Sequence, residues 1–214
     1  MENNKIKCPQ CGKEINVYVK EFVDVSVNPE YREQILNGTF FLAVCPECGS
    51  ETLMEYPIMY IDSDKKLNIY MAPEHEDDLL DQLNSLEIPY GEEEKDAIFR
   101  VTSGCDELLE KILIAEGGRD DRIIELYKLI MAESLGEEIP GIHSSQFLYY
   151  KDDAEELFIV FGYENEEEDQ LTVPFDEELY RSLEQDYIDD LEIPANQYAE
   201  VNSKWMEERI DFDA

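Results

Sequence analysis

Positive charge is scarce in this sequence: 17 Lys and Arg stand against 53 Asp and Glu, for a formal net charge of −36. Such a field repels a phosphate backbone and an anionic membrane surface, so direct contact with nucleic acid or membrane is not expected. Histidine is limited to His75 and His143, and no Cys–His–acid order stands out that would arm a nucleophile. No apolar run approaches the ~20 residues of a membrane span. The start, Met1-Glu2-Asn3-Asn4-Lys5, leads into no apolar stretch of the kind a secretory leader needs, so the expected location is the cytoplasm. Gly117-Gly118 is followed by no Lys-Ser or Lys-Thr, which excludes a phosphate-cradling loop there.

What is present is enough apolar material for a packed core. Hydrophobic residues make up 43% and aromatics 11%, so the chain is not a disordered acidic polymer. A length of 214 residues suits one large or two small domains. The charge is uneven. Residues 1–66 hold 7 basic and 11 acidic side chains, and the remainder holds 10 and 42, so a nearly neutral segment precedes one with a net charge of −32.

Cysteine carries the sharpest signal. Cys8-Pro9-Gln10-Cys11-Gly12 and Cys45-Pro46-Glu47-Cys48-Gly49 repeat one pattern, with 33 residues between Cys11 and Cys45. Two thiolates on one tight turn converge on a metal, and a second such turn completes a tetrahedron. Pro fixes φ at the start of the turn, and Gly permits the positive φ that turns backbone N–H groups toward the sulfurs. One Cys-x-x-Cys pair alone also suits redox chemistry; two matching pairs flanked by strand-forming residues point to a zinc ribbon. Cys8, Cys11, Cys45 and Cys48 are therefore the expected ligands of one structural zinc ion. Iron is the competitor, because rubredoxins use near-identical knuckles, but those are small stand-alone proteins. A closed four-cysteine site has no vacant position, so it serves folding and not hydrolysis.

Strands are expected at 5–7, 15–27, 39–44, 51–61 and 67–71, with a turn at 62–66. Asn28 as N-cap and Pro29 at the first helical position begin a short helix that Gly38 stops. Pro73 starts an acidic helix with Leu79, Leu80, Leu83 and Leu86 on one face. A strand near 98–101 precedes two helices, capped by Ser103 and Asp120 and separated by Gly117-Gly118. Pro140-Gly141 is the candidate boundary. Strands at 146–150, 157–163 and 171–175 come next, the last at an edge because of Pro174. Asp176 caps a helix to about 190, and a final helix is expected over 196–210 with Tyr198, Val201 and Trp205.

On these residues the chain resembles the CpXC family, named for its Cys-Pro-x-Cys pairs. Cys8, Cys11, Cys45 and Cys48 match the motif. The stretches Glu107-Leu108-Leu109-Glu110-Lys111-Ile112 and Asp120-Asp121-Arg122-Ile123-Ile124-Glu125-Leu126 resemble the family's helical end, with Leu109 standing where Arg is common. The resemblance covers about residues 5–132. It implies a metal and no activity.

Other residues have plain explanations. Cys105 at a helix start reads as an ordinary small residue, and His75 in an acidic run as a solvated one. Asp120, Asp121, Arg122 and Glu125 read as a helix start whose acids complement the dipole. The acidic runs Glu74–Asp81, Glu92–Glu94 and Glu164–Asp169 read as solvated faces. With 53 acids available, no carboxylate pair singles itself out as a glycosidase site.

The sequence thus predicts an α+β protein. A domain over 1–138 carries the four-cysteine site on an antiparallel sheet packed with helices, and a smaller acidic α+β domain spans 145–214. No catalytic or organic-cofactor residue is identified, and the oligomeric state is left open. The expected function is that of a non-catalytic, zinc-stabilised adaptor binding a protein partner, with a basic one favoured by charge. The alternative is an acidic inhibitor that imitates nucleic acid on a nuclease or DNA-binding regulator.

Overall fold

The computed structural model describes residues 2–86, 96–162 and 171–210. Its first strands follow the alternation of apolar residues. β1 (Glu2–Lys7) and β2 (Glu14–Val19) pair antiparallel with Ile6 opposite Ile15, and β2 buries Ile15 and Val17 while its alternate residues face out. The expected strand over 15–27 breaks at Lys20-Glu21 and resumes as β3 (Phe22–Asp24).

Helix α1 (Glu30–Leu36) starts at Pro29 without a side-chain cap, and the Asn28 carbonyl instead accepts the Tyr31 N–H at 3.2 Å. Gly38 stops the helix at φ +75°. Thr39 lies in a turn that the Leu42 N–H closes on its carbonyl, so β4 is confined to Leu42–Val44. It pairs antiparallel with β5 (Glu51–Leu53). The predicted strand over 51–61 is split by a segment containing Pro57, which has no N–H to give a ladder, and continues as β6 (Ile58–Asp62). β7 (Leu67–Met71) completes the hairpin as expected, and both of its strands bury every second residue.

The larger sheet has five strands in the order β12-β8-β7-β6-β3, with β8 at Ile98–Thr102 and β12 at Tyr198–Ala199. β3 runs parallel to β6, β6 antiparallel to β7, and β7 parallel to β8. Residues 1–71 therefore do not make one antiparallel sheet. They make two separate antiparallel ribbons and three strands of a mixed sheet. The physical reason is connection length: α1 and the β4-β5 ribbon lie between β3 and β6, a crossover long enough for parallel pairing. Helix α2 (Leu79–Ser85) is shorter than the run from Pro73 suggests and buries no residue fully, and Leu86 is exposed.

Helix α3 (Cys105–Glu116) ends at Gly117-Gly118, and α4 (Asp121–Gly136) is capped by Asp120, whose carboxylate accepts the Arg122 N–H. α4 is buried nearly all round, far beyond the single stripe of its sequence pattern. A sheet of β11 (Leu171–Pro174), β10 (Glu156–Val160) and β9 (Phe147–Lys151) is antiparallel, with the proline-bearing strand at its edge. Asp176 caps α5 (Glu177–Tyr187) as expected. The final segment is not one helix. Asn196 takes φ +61°, β12 comes next, and α6 occupies only Ser203–Glu207, capped by Asn202.

The chain packs as two compact units: residues 1–109 with 195–198, and residues 110–194 with 199–214. The division falls inside α3 and not at Pro140-Gly141, because α4 packs against α5, α6 and the short turn Ser144–Gln146 and so belongs with these later elements. The second unit is centred on Tyr127, Tyr149, Phe158, Phe175 and Tyr180, with neighbouring ring centroids 5.0–6.0 Å apart. Tyr127 and Tyr180 use their hydroxyls to accept the backbone N–H of Asp176 and of Asp120. Among the described residues, no helix is long and apolar enough to cross a membrane.

Candidate metal centre

Each knuckle sits at the tip of a ribbon, the first between β1 and β2, the second between β4 and β5. The two have the same wiring. The Cys8 N–H donates to the Lys13 carbonyl at 2.8 Å and the Gly12 N–H to the Cys8 carbonyl at 2.9 Å. The Cys45 N–H donates to the Ser50 carbonyl and the Gly49 N–H to the Cys45 carbonyl, both at 2.9 Å. Gly12 and Gly49 take φ +72° and +73°, a region in which a Cβ would be strained. Cys8 and Cys45 are buried and Cys11 and Cys48 are exposed, so each turn presents one inner and one outer sulfur.

The four Sγ atoms lie within 4.8 Å of one another and form a group that could hold a metal ion. Cys8 Sγ is 3.6 Å from Cys48 Sγ, and Cys11 Sγ is 3.7 Å from Cys45 Sγ. Both pairs join one knuckle to the other, and neither is a disulfide. A tetrahedral ion bound at ~2.3 Å by four sulfurs sets them ~3.8 Å apart, so the donor set fits a thiolate-bound metal in both spacing and chemistry.

The electrostatics agree. Hydrogen bonds from the Cys11 and Gln10 N–H groups bring the Cys8 thiol down to about 6, although burial opposes them. The Ser50 N–H favours the Cys48 thiolate, but burial and the neighbouring sulfurs of Cys8, Cys11 and Cys45 carry it up to about 12. Cys11 is likewise raised, against a hydrogen bond from the Lys13 N–H. One thiolate is therefore stabilised by the backbone, and gathering several needs a cation among them.

The surroundings are small and apolar. Ile15, Val17 and Ala43 are buried with Cys8 and Cys45, and Ile6 and Met54 pack against them. On the other face of the β4-β5 ribbon, Leu42 stands opposite Leu53, and Val44 and Leu53 are exposed, as is Tyr18 on β2.

The other residues singled out in the sequence lie elsewhere. The Cys105 N–H donates to Glu55 at 2.8 Å, and burial together with the Glu55 charge pushes its thiol up to about 12, which favours the protonated thiol at neutral pH. His75 is half-buried, not solvated, with Nδ1 2.8 Å from the Ala72 carbonyl oxygen. The His143 N–H donates to the side chain of Gln146. Gly117 is a close-packing position: a Cβ there would meet the Tyr149 hydroxyl at 2.5 Å. The acidic run Glu74–Asp81 is largely exposed; Glu92–Glu94 and Glu164–Asp169 lie outside the described residues.

The reading of Asp120, Asp121, Arg122 and Glu125 as a helix start holds for Asp120, which caps α4, and for Arg122, which pairs with Asp120 at 2.7 Å, but not for Asp121 and Glu125. Asp121 and Glu125 are buried with Glu110, Lys111 and Lys128 in the second unit. Lys128 Nζ reaches Glu110 at 2.8 Å and Glu125 at 3.0 Å, and Lys111 Nζ reaches Glu125 at 3.2 Å and Asp121 at 3.3 Å. Glu110 also accepts the Tyr149 N–H at 2.6 Å. Burial drives the Glu110 carboxyl upward despite Lys128 beside it, whereas burial of Lys111 is outweighed by Asp121 and Glu125, which keep it charged. Sequence could have hinted at this network, since Asp121, Glu125 and Lys128 interrupt the apolar positions of one helix at four- and three-residue spacing.

No curated protein and no solved structure matches the chain. A family model does, under the description CpXC protein, across residues 6–128, which takes in both knuckles, α3 and half of α4. The chain belongs to the CpXC family.

Proposed function

We propose that this is a non-catalytic, zinc-stabilised adaptor of the cytoplasm that binds a protein partner. The observation that carries the proposal is the closure of the metal group: four sulfurs and no fourth-position vacancy for water or substrate. Zinc fits best because the all-thiolate tetrahedral set is that of structural zinc ribbons, whereas the rubredoxins that share it are small stand-alone proteins. The high Cys105 thiol supports a non-catalytic role. Exposed Tyr18, Val44 and Leu53 on the ribbons supply apolar area of the kind protein partners bury.

Two measurements test this. Elemental analysis should find one zinc per chain, with X-ray absorption giving four sulfurs at ~2.3 Å; iron and a red protein would replace zinc by a rubredoxin-type centre. Capture from native cytoplasm should retain a protein partner in the presence of added DNA. Release of a basic nucleic-acid protein by DNA would move the assignment to an inhibitor that imitates nucleic acid.

A further inference from the structure

The second unit contains a concavity of about 860 Å³ framed by the C-terminal half of α4, the turn before β9 and the end of α6. Its apolar lining comes from Leu129, Ala132, Ile142 and Ile210. Its acidic lining is Glu133, Glu137, Glu207 and Glu208, beside His143, with no Lys or Arg among the lining residues. These four carboxylates are exposed, and among the described residues none forms an ion pair; Glu207 accepts one hydrogen bond, from the buried Ser144 hydroxyl at 3.2 Å. That sets them apart from the acids of the same unit that are already neutralised: Glu110, Asp121, Glu125, Glu156 and Glu177 all hold a Lys or Arg.

We propose that this concavity is the docking site for a basic amphipathic helix of a protein partner. The proposal rests on the protein-binding role proposed above and names the partner's chemistry. An apolar floor asks for aliphatic anchors at helical spacing, and four unpaired carboxylates around it ask for Lys or Arg flanking those anchors. A purely polar cation leaves the floor uncovered, and an apolar helix without flanking charge leaves four carboxylates desolvated and unpaired, so both features are needed for recognition.

The test uses the full, metal-loaded chain and a synthetic helix bearing a leucine stripe flanked by lysines, with a scrambled peptide of identical composition as control. Calorimetric titration should show the patterned peptide binding at least about tenfold tighter than the scrambled one. The variant E133Q/E137Q/E207Q/E208Q should lose about tenfold or more of that affinity, and E74Q/E76Q/D77N/D81N, which removes the same charge from the first unit, less than about threefold. Equal losses in the two variants, or equal binding of the two peptides, would mean a general charge effect and overturn the proposal. A native partner that stays on the Gln variant would rule out the concavity and leave the adaptor role standing. If the wild-type chain captures no partner, the adaptor role fails, and the titration still decides whether the concavity takes a basic helix.

Discussion

The ribbon tips and the α3–α4 pair hold themselves together by opposite means. Around the knuckles, five buried residues make up the local core, and two of them are the cysteines Cys8 and Cys45. Two short ribbons with so little apolar burial are marginal alone, since an isolated two-stranded hairpin is barely stable in water. A metal joining their tips would contribute what packing does not. The second unit has the reverse problem. It has a large aromatic centre and one helix, α4, buried nearly all round, and into that apolar surrounding it places five ionisable side chains. There the charges are a liability that must be matched group by group. A bound metal would join the first region by charge from outside, whereas the second is constrained from inside, by cations the chain already carries.

The comparison is broken most severely at the metal. Replacing Cys45 by Ser removes a buried sulfur from a group that could hold a metal, and structural zinc contributes of order 10–16 kcal/mol of binding free energy in zinc-dependent folds. The expected loss is several kcal/mol, confined to the ribbons. Hydrogen exchange should show β1, β2, β4 and β5 unprotected while β9, β10 and α5 keep their protection. Uniform loss across the chain would show that the second unit depends on the metal as well.

The complementary break lies at Lys128. Lys128→Met leaves Glu110 and Glu125 buried with fewer cations, and a broken buried ion pair costs about 3–5 kcal/mol. Thermal unfolding of the second unit should fall accordingly, with metal content unchanged. A double variant, Lys128→Met with Glu110→Gln, should recover part of the loss, because one uncompensated charge is removed together with its partner.

How far the sequence discloses these two regions depends on the range of the interactions involved. The knuckles are local: Cys, Pro, Cys and Gly within five residues specify turn, ligands and the sign of φ, and a second copy specifies closure. Helix caps at Asp120 and Asp176 and the edge position of Pro174 are legible for the same reason. Sheet topology is not local. Nothing in Phe22-Val23-Asp24 says that it will run parallel to β6, and the split of the 51–61 strand shows only in Pro57. The ion network was hidden because acids at a helix start ordinarily face solvent. The elements that pack against α4, namely α5, α6 and the turn Ser144–Gln146, all come later in the chain. The acid-rimmed concavity is built from three separated segments, and composition alone cannot distinguish its four carboxylates from the remaining acids.

Acid sharpens the comparison further. Burial works against the charge on Glu156, but hydrogen bonds from Arg119, Tyr149 and Lys151 outweigh it and hold the carboxyl down at about 2. An unfolded Glu titrates near ~4.3. The folded value is the lower one, so the stabilisation is fully present above pH ~4.3 and is lost as the pH falls toward 2. It should amount to about 1–3 kcal/mol. Glu156→Gln should lower the stability of the second unit at neutral pH and flatten its dependence between pH ~4.3 and 2. An unchanged acid limb in that variant would place the dependence on other carboxylates.

The smallest expected effect compares the two knuckles with each other. Gly12 and Gly49 share φ within a degree, at +72° and +73°, and a Cβ added at either meets no atom within 4 Å. Substitution by Ala is therefore free of clashes and costs only the left-handed backbone, about 1–2 kcal/mol. Because the flanking hydrogen bonds also match, Gly12→Ala and Gly49→Ala should cost the same within a few tenths of a kcal/mol and should leave the metal bound. Chelator competition measures this directly, since backbone strain in either turn lowers metal affinity by the same factor if both turns contribute alike. A large loss at one glycine and none at the other would mean that the two ribbons, despite identical wiring, do not share the work of closing the site equally.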